Sequence, residues 1–430
     1  PMIKHGGEWK TVDWQTALEY VAKSLKHIQA EHGVNSIGAL VSPHSTVEEL
    51  YLAGALVRGL GSDNIDYRLR NAEFAKSEGV QWLGTSIESL SQLQRVLVVG
   101  SNLRKDHPLF AQRIRQAVRH GAAVSTIASK ALFKDADAWA MRVANAVVAE
   151  ASAWGQVLAD VATAIAAEKG VSAPAAGQAT AQAQAIAKSL LGGERKAVLL
   201  GNAAAHHANA SSLLALANWI AAQTGATVGY LTEAANTVGA QWVKAQPQAG
   251  GLNAGQMLAG HLKAAILLNT EPEFDAAAGK QATEGLSKVD TVVTLSPFKT
   301  NLAFSDVLLP IAPFTETSGS FTNAEGRLQS FHAVVKPLGE TRPAWKVLRV
   351  LGNLLGLPDF EFETSQEVLA TATATPPVLN NATQAAITLA ASAGEPVVAS
   401  IYQLDGLVRR APSLQLTADA RAVREEGVTA

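Results

Sequence analysis

The first legible element is amphipathic. Apolar residues at Trp14, Leu18, Val21, Leu25 and Ile28 recur at helical spacing, Asp13 stands at the cap position, and Gly33 follows the last turn. The apolar run SIGALVS comes next and reads as a strand. It leads into SPHSTVEEL, where Ser45 and Glu48 have capping-box spacing and predict a second helix running toward Gly59 and Gly61. The pattern recurs further on. RVLVVGSN (95–102) predicts a buried strand, a helix follows over about 108–120, Gly121 ends it, and AAVSTIA gives a second strand. Strand, helix and strand in that order make a βαβ unit. Three more short apolar runs, KAVLLGN (196–202), KAAILLNTEP (263–272) and DTVVTLSPF (290–298), finish in polar or turn residues, as fully buried parallel strands do.

Between these runs lies an alanine-rich tract over 136–191, broken by EKGVSAPAAGQ, which predicts helix, loop and helix with a domain boundary near Gly192 and Gly193. The apolar segment 211–230 contains Asn218, Gln223 and Thr224, so it reads as a buried helix rather than a membrane span. Beyond Phe362, TATATPPVLNNATQ is a turn-rich linker, and the tail after it is too thin for a large domain.

Composition narrows the classes. The 430 residues suffice for roughly two to four domains. With 48% apolar residues, 17% charged residues and a net charge of −2, the chain has no basic footprint for nucleic acid. The lack of cysteine excludes disulfides, thiolate catalysis and cysteine-ligated iron–sulfur or zinc sites within these residues. The sequence starts at Pro1 and reads as a fragment or processed product with no signal peptide in view.

Common nucleotide motifs fail. AAGKQA has Gly279 and Lys280 but lacks the rest of a P-loop, and GLGSDN (59–64) lacks the third glycine of a dinucleotide fingerprint. His206 and His207 are adjacent on the chain and diverge on a helix, which disfavours chelation of one metal ion. Candidate chemistry therefore gathers at the strand ends: Ser42-Pro43-His44, Gly100-Ser101-Asn102, Gly201-Asn202, Asn269-Thr270-Glu271 and Ser296-Pro297. Open α/β sheets bind ligands in the crevice beyond such ends. Arg104, Lys105 and His107 form a small basic cluster suited to a phosphate or to a solvated surface. The stretch 305–331 is crowded with Glu316, Thr317, Ser318, Ser320, Thr322 and Asn323 around Gly319. These residues either frame a polar ligand or satisfy the backbone of a long irregular segment, and Arg327 has Glu325 as a candidate partner.

Several ordered segments carry a resemblance: WKTVDWQTAL, NIDYRLRNAEF, VLVVGSNLRKDHPLFAQRIRQAVRHGAAV, GNAAAHHANA, EAANTVGAQ and the stretch 305–331. Together they resemble the molybdopterin oxidoreductase superfamily, and within it the large iron–sulfur (G) subunits of NADH-quinone oxidoreductase, respiratory complex I. The resemblance implies two Rossmann-like α/β domains with mostly parallel sheets, of the formate dehydrogenase/DMSO reductase type. One would comprise 1–66 with 191–362, the other would be inserted over 67–190, and 363–430 would be a C-terminal extension.

Three departures stand out. Arg70 occupies the position where relatives place a cysteine or selenocysteine metal ligand, Ala128 and Ser129 stand where relatives present an aspartate, and the tail after Phe362 reads as too short and too rich in alanine and threonine to be the relatives' C-terminal β-barrel domain. The resemblance with these departures implies a vestigial cofactor cleft marked by Ser42, Arg70, Gly100, Ser101, Asn102, Gly201, Asn236, Asn269, Glu316, Gly319, Asn323 and Arg327, with no catalytic residue, metal or cofactor of its own. It further implies a scaffold role beside other hydrophilic-arm subunits, peripheral on the cytoplasmic side of the bacterial inner membrane, with iron–sulfur clusters on a preceding part of the chain. The alternative is a free-standing molybdopterin-guanine-dinucleotide oxidoreductase, formate dehydrogenase-like, with a non-cysteine metal environment. A third possibility is a cleft that binds a nucleotide or another small regulator.

Overall fold

The computed structural model describes residues 1–133, 139–390, 394–418 and 420–421. An antiparallel pair, β1 (Met2–His5) and β2 (Glu8–Thr11), opens the chain. The helix Trp14–His32 follows, capped by the Asp13 side chain on the Thr16 N–H and closed at Gly33, as its pattern predicts. SIGALVS supplies β3 (Ile37–Val41), buried at every position, with the short β4 (Ile65–Asp66) beside it.

A second sheet then forms from β5 (Arg95–Val99), β6 (Ala123–Ala128), β7 (Asn145–Val148), β8 (Lys196–Leu200) and β9 (Thr227–Tyr230), ordered β7-β6-β5-β8-β9 and parallel throughout. The chain returns through β10 (Ala264–Leu268), β11 (Thr291–Ser296) and β12 (Val307–Pro310), completing a first sheet ordered β2-β1-β12-β11-β10-β3-β4. A hairpin of β13 (Gly319–Thr322) and β14 (Leu328–Phe331) stands apart. The fold is mixed α/β with mostly parallel sheets, as expected.

Each large sheet is covered on both faces, which is why its strands read as unbroken apolar runs. Helices Trp14–His32, Val47–Gly59 and Ala344–Leu355 bury Leu25, Leu52 and Leu348 against one face of the first sheet, and Met257, Leu258 and Leu286 cover the other. On the second sheet the predicted alanine-rich helices, Trp154–Lys169 and Ala181–Leu191, pack over Leu97, Val99 and Val198.

Three expectations are corrected. The domain boundary at 190/191 comes too early, because β8 pairs with β5 and β9 extends the same sheet to Tyr230. Gly192 and Gly193 are a helix-to-strand turn inside that unit; glycines punctuate such a turn as strongly as they do a domain linker. The segment 211–230 is not one helix: helix Ala210–Thr224 ends at Gly225, φ 73°, and β9 follows. The capping box belongs to Thr46 and Glu49, one residue later than predicted.

Beyond helix Ser365–Ala372 the described residues of the tail lie as a strap against both sheets. Asn381 accepts from the Trp82 N–H at 3.0 Å and donates to the Val228 carbonyl at 2.8 Å on the second sheet's side. Glu395 accepts from the Ala151 N–H at 3.0 Å. The short helix Gly406–Arg409 then returns to the loops of the first sheet. Among the described residues no helix is long and apolar enough to cross a membrane.

Candidate functional site

The second sheet has the strand order of a doubly wound fold, whose switch point lies between β5 and β8. Gly100, Ser101 and Asn102 sit at the end of β5 and Gly201 at the end of β8, so these four predicted residues come together. They pack on one another. Gly100 has φ 63°, and a Cβ on it would stand 2.6 Å from the Ala204 nitrogen; a Cβ on Gly201 would stand 2.5 Å from the Gly100 carbonyl oxygen. The loop is tied internally as well: Asp106 Oδ2 accepts from the Asn102 N–H at 2.9 Å and the Ser101 hydroxyl at 3.2 Å. Burial pushes the Asp106 carboxyl up to about 6. His107 does not join an exposed basic cluster with Arg104 and Lys105. It is buried, with Nε2 3.0 Å from the Thr232 carbonyl, and burial pushes it down to about 4.

The first sheet has its own switch point between β3 and β10. There Ser42, Asn236, Asn269 and Gly319 converge on the loop 42–46. The Ser42 N–H donates to the Leu268 carbonyl at 3.0 Å, and Asn269 Nδ2 donates to the Ser45 hydroxyl at 2.9 Å. Asn236 donates to the Ser45 carbonyl and accepts from the Thr322 N–H, both at 2.8 Å, which ties the hairpin to the loop. A Cβ on Gly319 would collide with the Thr46 side chain. Glu48, freed from the predicted cap, accepts from the Ser320 N–H and hydroxyl at 2.9 Å each.

Between the two sheets stands Arg70, 6% exposed. Its guanidinium pairs with Glu233, just beyond β9, and with Asp275 at 3.4 Å, beyond β10. His206 Nε2 lies 3.3 Å from the second oxygen of Glu233. The strap completes the cluster: Arg409 reaches Asp275 at 2.8 Å, and Arg410 grips Glu271 at 2.6 and 3.0 Å. Three guanidiniums thus meet three carboxylates, the condition under which buried charge is tolerated. Burial alone would raise the Glu233 carboxyl, but Arg70 and His206 hold it far below the usual carboxylate range. Burial likewise opposes ionisation of Glu271, and Arg410 and Arg409 outweigh it. His207 turns away, with Nε2 3.0 Å from the Ala151 carbonyl, and no group of three or more potential metal ligands occurs among the described residues.

Three predicted residues lie outside these clusters. Glu316 accepts from the Leu338 N–H at 2.8 Å in a loop. Asn323 accepts from the backbones of Glu325 and Arg327 at 3.1 and 2.9 Å, shaping the hairpin turn. The Arg327 side chain is 70% exposed and lies 3.4 Å from Glu325. Their polar groups serve the loop itself. Conversely, Glu233, Asp275, Arg409 and Arg410 escaped the sequence reading. Only the doublet Arg409-Arg410 in an otherwise sparse tail carried any signal.

A profile of the molybdopterin oxidoreductase family matches residues 1–354. The chain belongs to this family. Within it, the chain is 27% identical over 420 residues to the NADPH-Fe(3+) oxidoreductase subunit alpha of Geobacter sulfurreducens, covering 83% of this chain and 49% of that protein. It is 24% identical over 445 residues to a Staphylococcus aureus protein named as a formate dehydrogenase, covering 86% of this chain and 44% of that one. The chain therefore spans about half the length of these relatives. In fold it is similar to a chain of the formyltransferase/hydrolase complex of Methylorubrum extorquens, with TM-score 0.57 and 18% identity over 82% of this chain and 98% of that one. It is also similar to acetylene hydratase of Pelobacter acetylenicus, with TM-score 0.53 and 15% identity over 87% of this chain and 64% of that one.

Proposed function

We propose that this family member is a scaffold: a molybdopterin oxidoreductase fold that holds its own cleft shut and serves as a structural part of a larger electron-transfer assembly, the peripheral arm of NADH-quinone oxidoreductase. The observation that carries the scaffold reading is Arg70. A guanidinium offers N–H donors and no lone pair, so the residue at the position of the relatives' metal ligand does not fit a molybdenum centre. Its pairing with Glu233 and Asp275 supports a structural role for that position. The assignment to complex I rests on the sequence resemblance, since the relatives named above are other oxidoreductases. Elemental analysis of the purified full chain tests the scaffold reading: molybdenum and tungsten are expected far below one atom per chain, and near-stoichiometric metal would overturn it. Affinity capture from membranes tests the assembly, with NADH-quinone oxidoreductase subunits expected among the captured proteins.

A second reading is favoured by the names of the relatives. A formate dehydrogenase-like oxidoreductase carrying a molybdopterin guanine dinucleotide agrees with the Staphylococcus aureus match. It predicts bound metal together with formate-dependent dye reduction, where the scaffold predicts neither.

A further inference from the structure

One cavity lies beside the Arg70 cluster and is used by nothing described so far. It opens beyond the carboxyl ends of β3, β10 and β11, has a volume of about 250 Å³, and is walled in part by Phe298, Phe314 and Phe321. Residues 405–407 of the strap supply a further wall, held by the grip of Arg409 and Arg410 on Asp275 and Glu271. The ionisable groups lining it are His44, Glu49, Glu271 and Asp405, with no lysine or arginine. Arg410 already engages Glu271, and Asp405 caps the strap helix through the Val408 N–H. Glu49 Oε2 accepts from the Thr46 N–H at 2.9 Å, which leaves its other oxygen for a ligand. His44 Nε2 is buried without a hydrogen-bond partner, and burial lowers the affinity of that ring for a second proton. His44 Nδ1 faces Asp405 Oδ2 at 3.8 Å, which favours the ring proton on that nitrogen and leaves Nε2 as the acceptor.

The lining thus offers aromatic faces, carboxyl groups and the hydroxyls of Ser42, Thr46, Ser296 and Thr317, and the Arg410 guanidinium bound to Glu271 already lies 4.3 Å over the Phe298 ring. An anion would be repelled by Glu49 and Asp405, whereas a flat cation would find the rings of Phe314 and Phe321 and charge-assisted acceptors. At this volume the site lies below the range of about 300–1,000 Å³ typical for larger ligands, so it suits a single-ring molecule. We propose that the cavity binds a small, flat organic cation, with its ring against the phenylalanines and its N–H groups donating to Glu49 and to His44 Nε2. The preference is opposite in charge to that of a phosphate-bearing cofactor, and the proposal stands independently of the scaffold reading.

Calorimetry and thermal shift on the full chain with benzamidine, benzoate and benzyl alcohol at about pH 8, above the value of about 7 to which burial pushes Glu49, test it, because the three probes share a ring and differ in charge. Benzamidine is expected to bind and to raise the melting temperature, with benzoate at least about tenfold weaker. Glu49→Gln should weaken benzamidine by about tenfold or more, and Leu407→Trp, which fills the cavity from its strap wall, should remove binding. Leu407 is 38% exposed, so that variant keeps the test decisive even if Glu49→Gln fails to fold. Benzoate binding as tightly as benzamidine, no benzamidine binding up to about 10 mM, or binding indifferent to Leu407→Trp would each overturn the proposal.

Discussion

Replacing Arg70 by methionine would leave Glu233 buried with only His206 beside it. Removing one partner of a buried pair strands the other's charge, so urea denaturation is expected to show a loss of about 3–5 kcal/mol. Arg70→Lys keeps the charge, loses the planar fork and should cost less. A second residue gives stability a pH signature. Burial pushes Glu49 up to about 7 from its ordinary value of 4.5, so the folded chain holds that proton more tightly than the unfolded one. Its contribution is full below the unfolded value and is lost as the pH rises through about 7, on the order of 3 kcal/mol in all. Glu233 acts in the opposite sense: its depressed pKa stabilises the fold above the usual glutamate range, and that contribution is lost as the pH falls below it. Melting temperatures across pH should peak between the two windows, and Glu49→Gln should flatten the neutral-side decline.

At the scale of elements, the capping box and the glycine contacts make the sharpest demands. Thr46→Ala removes the acceptor for the Glu49 N–H and should cost about 1 kcal/mol in chemical denaturation, whereas Ser45→Ala, at the cap position that the sequence suggested, leaves that bond intact. Gly201→Ala forces a methyl toward the Gly100 carbonyl and the Ser101 side chain, an overpacking expected to cost about 1–3 kcal/mol. The strands were legible because burial on both faces leaves an unmistakable apolar run, as in β3, β10 and β11. The cap was misplaced by one residue because Ser45–Glu48 and Thr46–Glu49 both satisfy the same spacing. β7 left almost no trace, since only Val147 of its four residues is buried. Of the site, the residues at strand ends were found because their position follows from the strand pattern. Glu233, Asp275 and Arg409 were not, because a pairing between distant parts of the chain leaves no local periodicity to read.

The whole molecule is two covered sheets joined at Arg70 and belted by the strap. If the belt holds them together, Arg409→Gln combined with Arg410→Gln should speed amide exchange in the loops around Glu233 and Glu271 as well as in the tail itself. Faster exchange confined to the tail would mean that the strap rests on the cleft without closing it. The belt also sets an order in time. Asp275 and Glu271 leave the ribosome roughly 130 residues before the two arginines that cover them, which at about 5–20 residues per second is on the order of ten seconds. The strap therefore arrives last, onto loops whose carboxylates Glu271 and Asp275 are already in place, and its two arginines neutralise charge that the nascent chain carries without them until then.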